Sequence, residues 1–501
     1  MKKRLCTLLL ALLMLLSIVP GQCFAEEEGA AAAPAALAPE EEPAEEAVSA
    51  HFTVPVDKLP DAGKLLEGYL YQLAAGKPQA APSLARRAKA INSNTNILVQ
   101  LLTDAVTKIA NGERDSSEVS FTGTVLTDAN VKVIFNKADL GLAPTDPFFE
   151  TKVVDGNTVN VLTETVSEGL KNQGFDSQMI LQLLLTNHPF EMYWMNKTGG
   201  ISTGISASTS GNTLTVTGYN VTFMVSQDYA VGDSSSYDPT QPDTTKTSAA
   251  ANAVKTAQSV VNNNADKSDY EKLVAYKNYI CEAVEYNTAA ANTANYPYGD
   301  PWQLIYVFDG NLKTNVVCEG YAKAFKYLCD LTWKGTNPAV KCYLATGTMT
   351  GGKGAGPHMW NIVTIGGRNY LADVTNSDTG TVGYDGRLFL KGASGSVASH
   401  YTVAAVNYVY DEETKTVYDE ELVLSSTNYD PKTAVSEQYD LNGGGFDISD
   451  LQYLFEYLST GEVSSGTIDT TKTDVNKDGQ VNILDYQTLY EAYKVWVSKA
   501  A

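Results

Sequence analysis

An acidic stretch near the C-terminus constrains folding more than any other part of the chain. It runs DVNKDGQVNILD and places Asp474, Asn476, Asp478, Gly479, Gln480, Asn482 and Asp485 at loop positions 1, 3, 5, 6, 7, 9 and 12. A calcium loop takes side-chain oxygens from positions 1, 3, 5 and 12. It takes a backbone carbonyl from position 7 and needs glycine at 6 for the sharp turn. Position 12 is Asp here, where an EF-hand usually has Glu. An upstream copy, DLNGGGFDISD, carries Asp440, Asn442, Asp447 and Asp450, with Gly444 in place of the position-5 acid. The first loop is one residue short, since Asp440 to Asp474 spans 34 residues and Asp450 to Asp485 spans 35. Each loop is followed by an amphipathic run, so two loop–helix units are expected over 435–501, with Ca²⁺ as structural cofactor.

The chain has 501 residues, which exceeds one compact core and predicts several domains. Lys2, Lys3 and Arg4 precede the apolar run LCTLLLALLMLLSIV, and Cys23-Phe24-Ala25 fits a cleavage site. Residues 1–25 therefore read as a signal peptide, and the mature chain as secreted. No later run is long and apolar enough to span a membrane. Residues 26–50 hold eight Glu and no aromatic side chain, which predicts a disordered spacer. The net charge of −22 excludes nucleic acid and anionic membranes as natural partners and suits calcium. Four cysteines remain after the signal: Cys281, Cys318, Cys329 and Cys342. They are too sparse for a disulfide scaffold, and bridges Cys329–Cys342 and Cys281–Cys329 both stay open.

The fold class expected is α+β. Residues 51–240 form an upstream α+β region: LARRAKAINSNTNILVQLLTDAVTKIAN and SQMILQLLLTNH have helical spacing, and NTLTVTGYNVTFMVS alternates as strands do. The Ser/Thr/Pro/Asp-rich run at 229–250 marks a boundary. Residues 245–425 hold a helix carrying Cys281, a helix starting at Cys318, and the strands KCYLATGTM, HMWNIVTI and RNYLADV.

Cys318 stands in VVCEGYAKAF, where a short strand gives way to a helix. A thiol there sits among unpaired N–H groups at the positive end of the helix, which favours thiolate. His358 lies in HMWNIVTI and Asp373 in NYLADVT. Gly366-Gly367 suits a two-residue turn between them. Ile365 then faces Arg368, and Asp373 lies opposite Trp360 and diagonal to His358 on one face, about 7–8 Å away between Cβ atoms. Each residue alone is more often structural than catalytic. Their joint placement argues for a nucleophile, a base and an orienting carboxylate. His51, His188 and His400 lack such company and read as structural.

These three segments resemble those of the transglutaminase-like superfamily, bacterial relatives of papain-type cysteine enzymes. The resemblance covers about 260–380, and NHPFEMYWM also resembles a segment that precedes the domain in secreted members. It implies a papain-like core, a nucleophile helix packed on an antiparallel sheet. It assigns Cys318 as nucleophile, His358 as base and acid, and Asp373 as its orienter. Peptidases, deamidases and cross-linkers share this acyl-enzyme route, acting here on a protein or cell-wall peptide. Gln303 is the candidate side-chain oxyanion donor, and Tyr321 either lines the pocket or joins the core. Met359 and Asn376 depart from the family pattern beside the triad. The two loop–helix units resemble a type I dockerin, which is small, all-α and EF-hand-like. That implies calcium-dependent docking to a cohesin module through Ile483, Leu484 and Ser449. The alternative is a catalytically inactive binding or accessory module of a cellulosome-like, polysaccharide-degrading complex.

Overall fold

The computed structural model describes residues 91–500, apart from 155–156, 234, 294, 312–313, 336–337, 352–353, 379–380, 419–421 and 432–437. The expected signal peptide (1–25), the spacer (26–50), His51 and the start of the upstream region (51–90) lie outside the described residues.

The first described helix, α1 (Ser93–Ala110), begins where the Asn92 side chain accepts the Asn94 N–H at 2.9 Å. Its apolar stripe of Leu98, Leu102, Val106 and Ile109 is buried at helical spacing. An antiparallel sheet follows, made of β1 (Glu118–Thr122), β2 (Ile134–Asn136), β3 (Ile201–Ser210) and β4 (Thr213–Phe223), with β4 pairing to each of the other three. β4 buries Leu214 and Val216, then Tyr219, Val221 and Phe223, the alternation changing phase at Thr217, where the pairing with β3 slips by one residue between Ser206 and Ala207. The second expected helix is α2 (Ser177–Asn187), capped by Asp176 and ended before Pro189.

Downstream come α3 (Ser248–Asn262), α4 (Asp269–Ala283) and α5 (Cys318–Thr332). α3 and α4 pack against α5, and α5 packs on a six-stranded antiparallel sheet. Its strands are β5 (Val340–Gly351), β6 (Gly354–Ile365), β7 (Arg368–Ala372), β8 (Phe389–Lys391), β9 (His400–Val403) and β10 (Val406–Tyr410), in the order β8-β7-β6-β5-β10-β9. The period-two pattern splits β6 between two cores. Val363 and Ile365 face the helices, together with Phe325 and Leu328 of α5. Trp360 and Ile362 face the other side, among Leu371, Tyr401, Tyr408 and Tyr410. The helix-side apolar cluster is continuous from Leu98 of α1 to Val417, so it runs across the sequence boundary near 240–245. Phe190 stacks on Tyr327 of α5 with ring centroids 4.9 Å apart.

The C-terminal part has its own small core of Leu441, Phe446, Leu451, Leu454, Val475 and Leu489, between α6 (Ile448–Thr460) and α7 (Ile483–Ala500). The architecture is thus mixed α and β with a helical C-terminal unit. The four described cysteines are free thiols, which corrects the two bridges left open. Cys281 Sγ donates instead to Val374 O at 3.5 Å, and Cys329 and Cys342 are both buried.

Gly347 on β5 pairs directly with His358 on β6 and with Tyr410 on β10. Its φ is +153°, and an added Cβ would lie 1.9 Å from Val409 O. Gly347→Ala is expected to destabilise the chain by about 3 kcal/mol through backbone strain and overpacking. Urea unfolding checks this, and an unchanged midpoint would contradict it.

Candidate active site

Val317 is extended and leads directly into α5, so Cys318 is the first helical residue. No side chain caps this end, which leaves early N–H groups of the helix turned outward around the half-buried thiol. The N–H of Val317 donates to Pro301 O at 2.8 Å, tying the 300–303 segment to the start of the helix.

The β6–β7 hairpin has the expected register, with Ile365 opposite Arg368 and Asn361 opposite Ala372. Gly366 and Gly367 both have positive φ, 60° and 71°, as a two-residue turn matched to strand twist demands. His358 and Asp373 therefore meet, with His358 Nε2 lying 2.9 Å from Asp373 Oδ2. The imidazole stacks on Trp360, two residues along the same face. The Cys318 thiol is close enough to the ring to raise its pKa. Cys318, His358 and Asp373 are thus in one place.

Asp373 is fully buried and well supplied with donors. Oδ2 accepts from Tyr408 Oη at 2.8 Å and Asn376 Nδ2 at 2.8 Å, and Oδ1 from the Asn376 N–H at 3.1 Å. Burial pushes its pKa up, but the imidazole and these hydrogen bonds outweigh that and hold it below the usual range. Burial alone would lower His358, but the charge of Asp373, the hydrogen bond to it and the neighbouring Cys318 thiol raise it to about 10. The ring is accordingly an imidazolium at neutral pH, able to donate a proton.

A second buried network adjoins the nucleophile. Glu319, next to Cys318, is paired with Lys323 at 2.8 Å and with Lys197 of the upstream region. Tyr298 Oη donates to Glu319 Oε1 at 2.6 Å. Burial would raise the Glu319 pKa, yet Lys197 and Lys323 bring it down to about 2. Lys323 Nζ also donates to Gln303 Oε1 at 3.3 Å. Gln303 is fully buried, and its Nε2 has no hydrogen-bond partner among the described residues.

Tyr321 is core, 2% exposed, with its hydroxyl donating to Val284 O at 3.4 Å. Of the two placements open for it, the pocket is the one corrected. His188 lies 3.2 Å from Thr103 Oγ1, burial lowering its pKa, and His400 is exposed beside Ser399. Sequence reasoning missed Asn376 as a ligand of Asp373, and Tyr408, Tyr286 and Lys197 altogether. The Tyr286 side chain lies beside Cys318, whose thiol adds to burial in raising the phenol's pKa. Only the Glu319–Lys323 pair left a signal, their spacing of four on one helix.

In the second C-terminal loop, Asp474 accepts the N–H groups of Asp478 and Gly479 at 3.2 and 3.0 Å. Gly479 takes φ +84° at position 6. Asp485 is fully buried and accepts the N–H groups of Asn476 at 3.1 Å and Asn482 at 2.7 Å. The shorter first loop is built alike at its closing acid. Asp450 is fully buried and accepts from Leu441 at 2.7 Å, Asn442 at 3.3 Å and Asp447 at 2.8 Å. Asp440 accepts the Gly443 N–H at 2.7 Å, and Asp447 caps α6. The donors are carboxylates and amide oxygens, a set that fits a hard cation such as Ca²⁺. Among the described residues no three His, Cys, Asp or Glu groups converge on one point. Ile483 and Leu484 are 61% and 50% exposed just after the second loop.

Residues 438–492 match the family model of the dockerin type I domain. Type I dockerins bind calcium, in keeping with the loop chemistry. None of the curated proteins compared with the chain matches it. No described helix is long and apolar enough to cross a membrane.

Proposed function

With a dockerin type I segment as premise, we propose that the chain is a secreted thiol enzyme of the transglutaminase-like kind. It is tethered through that segment to a cohesin module in a cellulosome-like assembly. Residues 245–425 form the papain-like catalytic domain, 51–240 the upstream α+β region, and 435–501 the dockerin. The observation that carries the reading is the 2.9 Å bond of His358 to the buried Asp373, with the same ring beside Cys318.

The thiolate of Cys318 attacks the carbonyl carbon of a protein or cell-wall peptide. The oxyanion that develops is met by the Cys318 backbone N–H and by Gln303 Nε2, a buried donor without another partner. The His358 imidazolium gives its proton to the departing amine, leaving a thioester. Neutral His358 then takes a proton from water, which adds to the thioester. Collapse releases the acid and restores the thiolate–imidazolium pair. Asp373 keeps the ring oriented and offsets its charge throughout. Hydrolysis is the reaction proposed over transamidation, because extracellular water is abundant.

One observation favours the second reading, a non-catalytic binding or accessory module. The Tyr286 phenol stands close beside Cys318, crowding the thiol that a substrate would have to reach. Casein and cell-wall stem peptides incubated with the full chain distinguish the two. Cleavage that Cys318→Ala lowers by about 10⁴-fold or more supports the enzyme. Activity unchanged in that variant would leave only the binding role.

The other thiols set up a simple check on the nucleophile. Burial pushes Cys281 up to about 12, and Cys329 and Cys342 are enclosed in the core. Iodoacetamide on the native chain is therefore expected to label Cys318 first, as read by peptide mapping. Equal labelling of all four would contradict the site.

A further inference from the structure

Gln303 poses a specific problem. A primary amide has an acceptor and two donor hydrogens, and burial of an unpaired donor is costly. The side chain is 0% exposed, its Oε1 accepts from Lys323, and its Nε2 is unpaired. Lys323 has no acceptor atom, so the oxygen must be the atom that faces it. Lys323 itself is 2% exposed and fixed by Glu319 four residues earlier on α5, and Lys197 holds the other oxygen of Glu319. The amide is thus oriented by a chain of charges that starts in the upstream region.

We propose that Lys323 is a positioning residue, set by Glu319 and Lys197, that turns the Gln303 amide so its N–H groups serve the oxyanion formed at Cys318. Without the ammonium group the amide is free to flip and present oxygen to the developing negative charge. The upstream region then contributes to catalysis as well as to packing, through Lys197. This rests on the thiol-enzyme reading above.

The test separates two reactions of the same sulfur in the full chain. With p-nitrophenyl acetate, Cys318 adds to the carbonyl carbon and the carbonyl electron pair moves to oxygen. Its return expels p-nitrophenolate and leaves an acetyl thioester. With iodoacetamide, sulfur displaces iodide at a saturated carbon and no oxyanion forms. Lys323→Met and Gln303→Met are each expected to slow acylation on the order of 10²-fold, while alkylation stays within about twofold. The double variant should be no slower than Gln303→Met alone, because Lys323 acts through the amide. Acylation at the wild-type rate in Lys323→Met, additive losses, or alkylation falling in step would overturn the proposal. Should Lys323→Met fail to fold, Glu319→Gln decides. It keeps the volume, removes the charge holding Lys323, and is expected to slow acylation alone. Unchanged acylation there overturns the proposal too. A wild-type chain that is not acetylated on Cys318 would instead bring down the thiol-enzyme reading, and this inference with it.

Discussion

Asp373→Asn is expected to lower kcat for amide hydrolysis by about 10³–10⁴-fold while leaving the fold largely intact. The carboxylate accepts from His358, Tyr408 and Asn376, so a side-chain NH₂ at this place meets donors it cannot bond. Where the NH₂ takes the place of Oδ2, the ring turns its unprotonated nitrogen toward position 373. Its proton moves to the nitrogen facing Cys318, where it blocks base action. The pH profile carries a second signature. The folded His358 pKa of about 10 stands above its ordinary 6.5. The stability contributed by the bound proton is therefore fully present below about 6.5 and is lost as pH rises through about 10. Activity that needs the imidazolium follows the same window, with its alkaline limb near pH 10 in the wild type. In Asp373→Asn the residual activity should fall off nearer neutrality. An alkaline limb that does not move, or a kcat within tenfold of wild type, would contradict the role given to Asp373. Measurement of kcat from pH 5 to 11 checks both.

Chelation of calcium is expected to unfold the 438–492 segment and abolish cohesin binding. The segment's core is six fully buried apolar side chains between two helices, too small to balance chain entropy without help. A metal that binds only the folded loops adds about 4 kcal/mol when its free concentration is a thousand times Kd. Its removal tips so small a unit to the unfolded side. Limited proteolysis with and without EGTA should show new cuts confined to this segment. The ring contact of Trp496 on Phe446, centroids 5.9 Å apart, should be lost in parallel. Asp485→Ala, which removes the buried position-12 carboxylate, should give the same cuts in the presence of calcium. Alkylation of Cys318 should not change, because its surroundings belong to a separate apolar cluster. An identical digest in both buffers would contradict calcium-dependent folding.

What could be read in advance was local. The calcium-loop spacing, the Gly366-Gly367 turn and the strand-to-helix switch at Cys318 are encoded within a dozen residues each. One hairpin then determines that His358 and Asp373 share a face. What escaped was set by distance along the chain. Tyr408 reaches Asp373 across 35 residues, from a strand whose place in the sheet no local pattern reveals. Lys197 reaches Glu319 across 122. Asn376 looked like a departure from a family pattern and turned out to hold Asp373 with both its side chain and its backbone. Tyr321 shows the same limit from the other side. An aromatic residue in the first turn of a helix does not say which way it points until the partner surface is known.

The most direct measurement is the rate at which iodoacetamide modifies Cys318 at neutral pH, in the native full chain and in His358→Ala. If sulfur, imidazole and carboxylate act as one unit, the native chain should react about 10²-fold faster than the variant or the urea-unfolded chain. Equal rates in all three would mean that the imidazole does not prime the thiol, and the enzymatic reading would fall.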